Sequence, residues 1–435
     1  MHSARVHLAL AVAALVGCAT SASAASTPAP RGTGTVDHEQ IRRDRINVLL
    51  PQIMKEQGVS LWLTFTRENT MDPILPVFGI DHIVARGAFL LGFSEGKFRK
   101  LAIAASYDVD PIKKTGLFDE VIAYRSEGIK PHLRKAVEAW KADVIAVNFS
   151  RDVTIADGLT LGLRRYLDEA LGDHTRRFRS SERLVVSLLG RKLPAEIAAL
   201  ERAIKGTQQI LAEALTSERV KPGVTTEKAL NAWMEARAAQ LGLGVAFTSV
   251  VVGPQRGHSQ PTERVIQHGD VIRIDWGASY GGYCADIQRM AYVLKPGESA
   301  APAWLVRLWD ATLAANRAAV AALEPGHTGN DVDKAGRGSL VAAGYPEYPH
   351  GSGHAIGLKV HDVGPMLGPD WRERYGDPVF FKIEPGQVFA VEPLIYIQPE
   401  ELDYELNTSL EEDVVVEADG PRYVGTPQTK LILIR

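Results

Sequence analysis

The sequence predicts two domains: an α/β domain in the first half, and a second domain that combines helices with antiparallel strands. Three observations predict this. The chain has 435 residues, which is enough for two domains that each bury a core. Helix patterns and strand patterns alternate through the first half, as is typical of α/β domains. In the second half, a β-hairpin pattern at residues 271–293 lies among several helix patterns.

The elements of the first half follow from periodicity. The helix patterns cover residues 40–56 and 130–140, and the strand patterns cover residues 59–66, 87–92, 100–105 and 144–148. The alternation ends near Val186. We therefore predict an amino-terminal α/β domain at residues 38–188.

The second half begins with a long helix. Pro194 lies where the first helical turn tolerates proline, because the missing N–H would have no partner there. A break at residues 221–223 separates this helix from the next one. The later helix patterns cover residues 226–241, 304–322 and 331–343. We predict that the second domain spans residues 189–435.

The amino terminus has the pattern of an export signal. Arg5 precedes a short apolar stretch at residues 8–17, and small residues at 22–24 offer a cleavage site, so residues 1–24 are the predicted signal. Residues 15–18 also match a bacterial lipoprotein processing site, with a signal at 1–17 and a lipid anchor on Cys18. Residues 25–37 are the predicted flexible tether. The predicted location is periplasmic or extracellular, or the outer membrane if Cys18 is lipidated.

The charge balance limits the possible partners. The chain has 49 basic and 52 acidic side chains and a formal net charge of -3. No basic block indicates nucleic acid as a partner. After the signal, no apolar run is long enough to cross a membrane. The lipid at Cys18 is therefore the only membrane attachment that the sequence predicts.

Two aspartates of the hairpin are the most informative residues. Asp275 and Asp286 are eleven positions apart, with a turn-like segment at residues 280–282 between them. If the turn is centred between Tyr280 and Gly281, the two carboxylates are directly opposed on one sheet face. Two divalent cations would relieve the repulsion between them. The alternative is a pair of ordinary aspartates near a solvated hairpin end.

Further residues of the metal-ligand type follow downstream. His350, His354 and His361 lie in a glycine-rich segment, where the backbone can closely approach a buried site. Each of them could instead be a structural or solvated histidine. Glu392 lies within an apolar strand pattern, where a charge is costly unless it is paired or bound to a metal.

Glu411 and Glu412 begin a β-branched strand pattern. Strand alternation alone does not decide which of the two faces inward.

The order of these motifs resembles a known family. Two aspartates eleven positions apart are followed by GH-x-x-GL-x-x-H, VEP and EEDVVV. This order resembles the pita-bread metallopeptidases, which include aminopeptidase P, prolidase, methionine aminopeptidase and creatinase. The resemblance covers residues 191–435 and is greatest to the Xaa-Pro aminopeptidase and prolidase branch. It implies a creatinase-like amino-terminal α/β domain and an α+β pita-bread catalytic domain, in which helices flank a curved antiparallel sheet.

The resemblance also implies a metal site and a homodimer. Two divalent ions would be bound by five side chains: Asp275, Asp286, His354, Glu392 and Glu411. Asp286 and Glu411 would bridge the ions, so the resemblance favours Glu411 over Glu412. Four carboxylates and one imidazole suit Mn²⁺, with Co²⁺, Fe²⁺ or Zn²⁺ as alternatives.

The implied reaction is removal of the first residue of a peptide at an Xaa-Pro bond, with a metal-bridging hydroxide as the nucleophile. The resemblance assigns His258, His350 and His361 to substrate binding, and His258, His361 and Glu392 to catalysis. For each histidine the alternative is an ordinary surface residue.

Two positions depart from the family pattern. Gln288 replaces the usual Thr or Ser after the second aspartate, and Leu394 replaces the usual Gly after the VEP glutamate and proline. Neither change removes a ligand. Two other functions stay open: a metal-free C–N hydrolase of the creatinase kind, and a non-catalytic binding protein on the same fold.

Overall fold

The computed structural model describes residues 35–435, except for Gln255, His258 and Ser409. The predicted signals, Cys18 and most of the tether lie outside the described residues. Among the helices of the described part, none combines the length and the apolarity needed to cross a membrane.

The first half is built on one mixed six-stranded sheet with the order β4-β3-β2-β1-β5-β6. Its strands are β1 (Leu61–Arg67), β2 (Arg86–Ser94), β3 (Lys97–Ala105), β4 (Glu120–Tyr124), β5 (Ile145–Val147) and β6 (Phe178–Ser180). The β1–β2 and β2–β3 pairs are antiparallel, and the other three pairs are parallel.

Both faces of this sheet are buried. Successive side chains of a strand point to opposite faces, so Leu61 and Leu63 join one apolar cluster while Trp62 joins another. The helices of this half are α1 (His38–Asp44), α2 (Leu50–Glu56), α3 (Val109–Lys114), α4 (Lys130–Trp140), α5 (Leu161–Leu171) and α6 (Glu182–Gly190). A π-helical turn, Arg45–Leu49, joins α1 to α2 within the predicted first helix. The first half is therefore α/β, as predicted.

The described residues of the second half form three sheets. The largest has the order β17-β10-β8-β7, with β9 paired to β8. Its strands are β7 (Gly244–Val252), β8 (Val271–Tyr280), β9 (Tyr283–Cys284), β10 (Ile287–Val293) and β17 (Ile432–Ile434). The second sheet comprises β11 (Gly353–Ala355), β12 (Val388–Val391), β15 (Glu412–Glu417) and β16 (Gly420–Tyr423), and the third comprises β13 (Tyr396–Ile397) and β14 (Leu406–Asn407). All pairs are antiparallel except β10–β17.

Helices flank these sheets. They are α7 (Pro194–Ala214), α8 (Glu227–Gln240), α9 (Ala303–Ala321), α10 (Gly329–Ala342) and α11 (Arg372–Tyr375). Pro194 is at the start of α7, as predicted, and the Glu196 carboxylate accepts a hydrogen bond from the Leu193 N–H. Thr226 and Thr328 cap α8 and α10 through their hydroxyl oxygens.

One face of β8 belongs to the core and the other faces a cavity. Ile272, Ile274 and Trp276 are fully buried in the same apolar cluster as α7. Alternation therefore turns Arg273 and Asp275 toward the opposite face, where both line the cavity described below.

Candidate metal centre

The hairpin that carries the two aspartates has a register different from the predicted one. Asp275 pairs with Gln288, so the prediction that Asp275 and Asp286 are directly opposed is wrong. The turn lies at Gly281 and Gly282, whose φ angles are +55° and +88°. Two successive positive φ angles are what a two-residue hairpin turn requires, and glycine adopts them without strain. The turn is therefore centred one residue later than predicted.

The two aspartates still share one side of the sheet. Each of them lines the same cavity, although they are displaced along the strands instead of facing each other. Asp286 lies where the β10 ladder begins, and its N–H donates to the Asp413 Oδ2 at 3.0 Å. A Cβ atom at Gly277 would lie 2.0 Å from the Ala285 carbonyl oxygen, so only glycine allows this close approach beside Asp286.

Three of the predicted ligands form a compact buried cluster. Asp286, His354 and Glu411 each offer a ligand atom, and these atoms all lie within 4.8 Å of one another. The His354 Nε2 is 3.4 Å from the Asp286 Oδ2. Oxygen and nitrogen atoms at this spacing can share one divalent cation.

The other two predicted ligands line the same cavity. The Glu392 Oε1 is 3.8 Å from the His354 Nε2. Asp275 approaches from β8, next to Ser249 of β7 in the ladder. Because β11, β12 and β15 are neighbours in one sheet, His354 within β11, Glu392 just after β12 and Glu411 just before β15 come together at one end of that sheet.

The cluster carries more negative charge than its surroundings neutralise. Burial, reinforced by the neighbouring acids Asp275 and Asp413, raises the pKa of Asp286 well above its ordinary range. Burial and the Asp286 charge do the same to the pKa of Glu411. Among the described residues, no donor gives a hydrogen bond to either carboxylate oxygen of Glu411. Buried acceptors without donors are costly, and a cation would satisfy them. The residues present therefore fit a divalent metal.

The structure separates the two glutamates that the sequence left ambiguous. Glu411 joins the cluster, whereas Glu412 faces the opposite way and pairs with the Arg289 guanidinium: its Oε2 accepts a hydrogen bond from Nη2 at 3.0 Å, and its Oε1 lies 3.0 Å from Nη1. The Gln428 N–H also donates to Glu412 at 2.7 Å. Glu412 is thus part of a buried ion pair.

Two of the three histidines predicted to bind substrate, His350 and His361, line the cavity at this cluster. The His361 ring stacks on the His354 ring, with 3.9 Å between the centroids. His350 lines the same cavity, and its Nδ1 donates to the Gly351 carbonyl oxygen at 2.6 Å. Burial lowers the pKa of His350, which favours the neutral ring at pH 7. His258 lies outside the described residues.

The cavity has a volume of about 540 Å³ and lies open above the cluster. Two arginines in its wall, Arg273 and Arg374, were not recognised from the sequence. Arg273 could have been found, because it alternates with Asp275 in a strand that is otherwise apolar. Arg374 lies in a polar segment that gives no such signal. Burial lowers the pKa of Arg273 to about 10, which still leaves the guanidinium charged at neutral pH.

The two departures from the family pattern also line the cavity. The Gln288 amide Nε2 donates to the Glu392 Oε2 at 3.4 Å, so a carboxamide contacts one of the predicted ligands where a hydroxyl is usual. Leu394 is buried in the cavity wall.

The fold and this cluster are those of a metallopeptidase. The sequence model of metallopeptidase family M24 matches residues 198–418, which is half of the chain, and the chain belongs to this family. The predicted family membership is confirmed, and so is the predicted combination of an α/β first half with a pita-bread second half.

Individual relatives agree with this assignment. Peptidase YqhT of Bacillus subtilis is 30% identical over 247 residues, which are 56% of this chain and 64% of YqhT, so the match spans less than two thirds of that relative. The X-Pro aminopeptidase of Thermotoga maritima MSB8 has a similar structure, with a TM-score of 0.57 and 27% identity, covering 88% of this chain and 98% of that one. Dipeptidase PepE of Mycobacterium ulcerans has a TM-score of 0.65 at 22% identity, covering 91% of this chain and 98% of that chain, and shows the fold alone.

Proposed function

We propose that this chain is an exported two-metal exopeptidase that removes the amino-terminal residue of peptides at Xaa-Pro bonds. The observation that carries the proposal is the buried Asp286–His354–Glu411 cluster beneath an open cavity. Membership of family M24 and the similarity to an X-Pro aminopeptidase support the peptidase activity and the Xaa-Pro preference.

Five side chains would bind the two ions: Asp275, Asp286, His354, Glu392 and Glu411. The four carboxylates among them balance the charge of two divalent cations, and the predominance of oxygen favours Mn²⁺. When bound, the ions would polarise the scissile carbonyl group and lower the pKa of a water molecule so that it attacks as hydroxide.

The protein's own side chains would stabilise the developing negative charge, transfer the proton and bind the substrate. His361, together with His258 as the family resemblance implies, would donate hydrogen bonds to the carbonyl oxygen as it gains negative charge. Glu392, which lines the cavity with its Oε1 3.8 Å from the His354 Nε2, would transfer a proton to the departing amine. Asp275 would attract the free α-amino group of the substrate, which would restrict cleavage to the first residue.

Hydrolysis of defined peptides tests this proposal. The protein, incubated with Mn²⁺, should release the first residue from Leu-Pro-Ala faster than from Leu-Ala-Ala, and a chelator should abolish the release. Asp286→Asn should lower kcat/KM by more than about 100-fold, since it removes a ligand and not merely a supporting group. Asp310→Asn on the exposed face of α9 is the matched control and should keep full activity.

The same assay separates the alternatives. Hydrolysis that survives both the chelator and Asp286→Asn would contradict the metal mechanism and favour a metal-free hydrolase. Metal binding without any hydrolysis would favour a binding protein.

Export is the part of the proposal supported by the first 24 residues alone. The full-length protein should reach the periplasm or the medium when expressed in a bacterium with a signal peptidase. Cys18→Ala distinguishes the two signals: it should release the protein from the membrane fraction if Cys18 is lipidated, and change nothing otherwise. Retention of the parent in the cytoplasm would contradict export.

The homodimer is supported only by the family resemblance. Light scattering on the purified chain should give twice the mass of one chain, and the mass of a single chain would contradict it.

A further inference from the structure

The segment that joins the two halves of the chain contacts a loop of the cavity wall. Residues 191–193 connect α6 of the first half to α7 of the second. Within this segment, the Lys192 Nζ donates to the Asp362 Oδ2 at 2.9 Å. Asp362 directly follows His361, which lines the cavity. The junction between the halves is therefore bonded to the residue next to a predicted catalytic histidine.

This ion pair is largely buried. The Lys192 side chain is 3% exposed, and the Asp362 side chain is 14% exposed. The Lys192 Nζ also donates to the Leu189 carbonyl oxygen at 2.9 Å, and the Lys192 N–H donates to the Gly386 carbonyl oxygen at 2.8 Å. An exposed ion pair contributes little, whereas removal of one partner of a buried pair leaves a costly charge. The pair can therefore hold the loop in one position.

The loop closes tightly around the pair. Residues 356–366 are all described and none of them belongs to a helix or a strand, so the path of their backbone depends on individual contacts. The Asp362 N–H donates to the carbonyl oxygen of Ala355, the last residue of β11, at 2.9 Å. A Cβ atom at Gly357 would lie 1.9 Å from the Asp362 Oδ2 and 2.6 Å from the Lys192 Nζ. Only glycine lets the loop pass this close to the ion pair.

The two anchors of Asp362 fix the backbone that carries His361. The backbone anchor leads to β11, the strand of His354, and the side-chain anchor leads to Lys192. The His361 ring stacks on the His354 ring with 3.9 Å between the centroids and 23° between the planes. A donor that stabilises a developing negative charge must be held within about 0.5 Å of its productive position. A shift of Asp362 would therefore move His361 relative to the candidate metal centre.

We propose that Lys192 is a positioning residue for the reaction: it binds Asp362 and thereby holds His361 where its ring can donate to the carbonyl oxygen of the substrate. This inference rests on the proposed function and adds to it a residue from the junction between the halves. Lys192 is not among the described residues that line the cavity, so it acts on the reaction through the loop.

Steady-state hydrolysis of Leu-Pro-Ala by the intact, Mn²⁺-loaded protein tests the proposal. Lys192→Met and Asp362→Asn should each lower kcat by roughly 10- to 100-fold, the range for a residue that orients a functional group. KM should change little, because the hydrogen bond from His361 would form only as the carbonyl oxygen gains charge. The content of bound Mn²⁺, determined by mass spectrometry, should equal that of the parent in both variants.

A second background separates positioning from a general structural role. His361→Ala alone should lower kcat by roughly 100- to 1000-fold. Adding Lys192→Met to His361→Ala should lower kcat by less than about 3-fold more, since no ring remains to be positioned. A lysine that only stabilised the fold would lower kcat by the same factor in both backgrounds, and that result would overturn the proposal.

The control removes a lysine from an exposed ion pair. Lys228→Met breaks the pair with Glu263, in which the two side chains are 66% and 72% exposed, and should keep the kcat of the parent. If Lys192→Met does not fold, Asp362→Asn provides the same comparison in both backgrounds, because asparagine preserves the shape of the side chain.

The remaining results are distinct from one another. The kcat of the parent in both Lys192→Met and Asp362→Asn would overturn the proposal, and so would loss of the bound Mn²⁺ from either variant. Full activity of His361→Ala would mean that Lys192 has no catalytic group to position, and would refute the inference while the peptidase activity stands. If the parent cleaves no peptide at all, the proposed function fails and takes the inference with it.

Discussion

At the scale of residues, the second half buries charge in two different ways. Some charges are matched within the protein, such as Arg337 with Asp333 and Arg289 with Glu412. Asp286 and Glu411 are buried as deeply, yet the described residues give neither of them a lysine or arginine partner within ion-pair distance. Buried charge is costly unless it is paired. The matched pairs are therefore structural, whereas the carboxylates of Asp286 and Glu411 indicate a binding site for a cation.

The structural role of Arg289 leads to a stability prediction. Arg289→Met should lower the free energy of unfolding by about 3–5 kcal/mol, because it leaves the Glu412 carboxylate buried without its partner. Urea denaturation of the two proteins measures the effect. Arg307→Met on the exposed surface of α9 is the control and should change stability by less than about 0.5 kcal/mol.

A similar loss in both variants would contradict this role for Arg289.

A buried acid in the first half, Asp72, makes the stability of the protein depend on pH. Asp72 is 1% exposed and accepts hydrogen bonds from the Ile74 N–H at 3.1 Å and the Asn148 side-chain amide at 2.9 Å. Burial, only partly offset by these bonds, raises the pKa of Asp72 from 3.8 to about 6. The folded state therefore holds the proton more tightly than the unfolded state.

The sign of the effect follows from proton linkage. The stabilisation due to the protonated Asp72 carboxyl is complete below pH 3.8 and is lost as the pH rises through about 6. Asp72→Asn cannot ionise. The parent loses stability over this range and the variant does not. The unfolding free energy of Asp72→Asn minus that of the parent should therefore rise by about 2–3 kcal/mol between pH 4 and pH 7. Urea denaturation at several pH values measures this difference, and a difference independent of pH would contradict it.

At the scale of elements, the hairpin of β8 and β10 shows what the sequence could and could not predict. Its position and its two aspartates followed from alternation and spacing. Its register did not, because the placement of the turn depends on the positive φ angles of Gly281 and Gly282, and the sequence Tyr280-Gly281-Gly282 allows two positions for a two-residue turn. A shift of one residue in the turn moved the partner of Asp275 from Asp286 to Gln288.

Helices were easier to predict than the details of the cavity wall. The 130–140 helix was predicted with the bounds that α4 has, since its apolar spacing and its flanking residues agree. The π-helical turn between α1 and α2 was not predicted, because a single extra residue per turn leaves little trace in the apolar spacing. The contact of Gln288 with Glu392 joins segments far apart in the chain, so its geometry needed the structure. The stacking of His361 on His354, only seven residues earlier, depends on the path of an irregular loop that periodicity does not predict.

The hairpin geometry gives a prediction at this scale. Gly277→Ala would place a Cβ atom 2.0 Å from the Ala285 carbonyl oxygen, next to Asp286. The strands must separate to accommodate it, so we expect a loss of about 2–4 kcal/mol of stability and weaker binding of Mn²⁺. Thermal unfolding and metal titration measure the two effects.

Gly338→Ala is the matched control for that change. Gly338 is exposed in α10, and a Cβ atom there would meet no described atom within 4 Å. This variant should gain about 0.5–1 kcal/mol, the helix preference of alanine over glycine, with unchanged metal binding. Full metal binding in Gly277→Ala would contradict the importance of the close strand approach.

At the scale of the whole molecule, charged contacts join the two halves of the chain. The Arg191 guanidinium bonds to Glu56 in α2 at 2.6 Å and to Glu384 before β12 at 3.0 Å. Arg45 pairs with the buried Glu196 of α7, which also accepts a hydrogen bond from the Tyr283 hydroxyl at 2.8 Å. Tyr283 belongs to the hairpin that bears Asp286, so the first half helps to support the strand that carries the cluster.

The central claim is that five side chains from separate parts of the chain converge to bind two divalent cations. The most direct measurement is the metal content of the purified protein after incubation with Mn²⁺ and removal of free metal, determined by mass spectrometry on parent and Asp286→Asn proteins. The account predicts about two ions per chain in the parent and a loss of both in the variant, which remains folded. A parent protein without bound metal, or a variant that retains both ions, would contradict it.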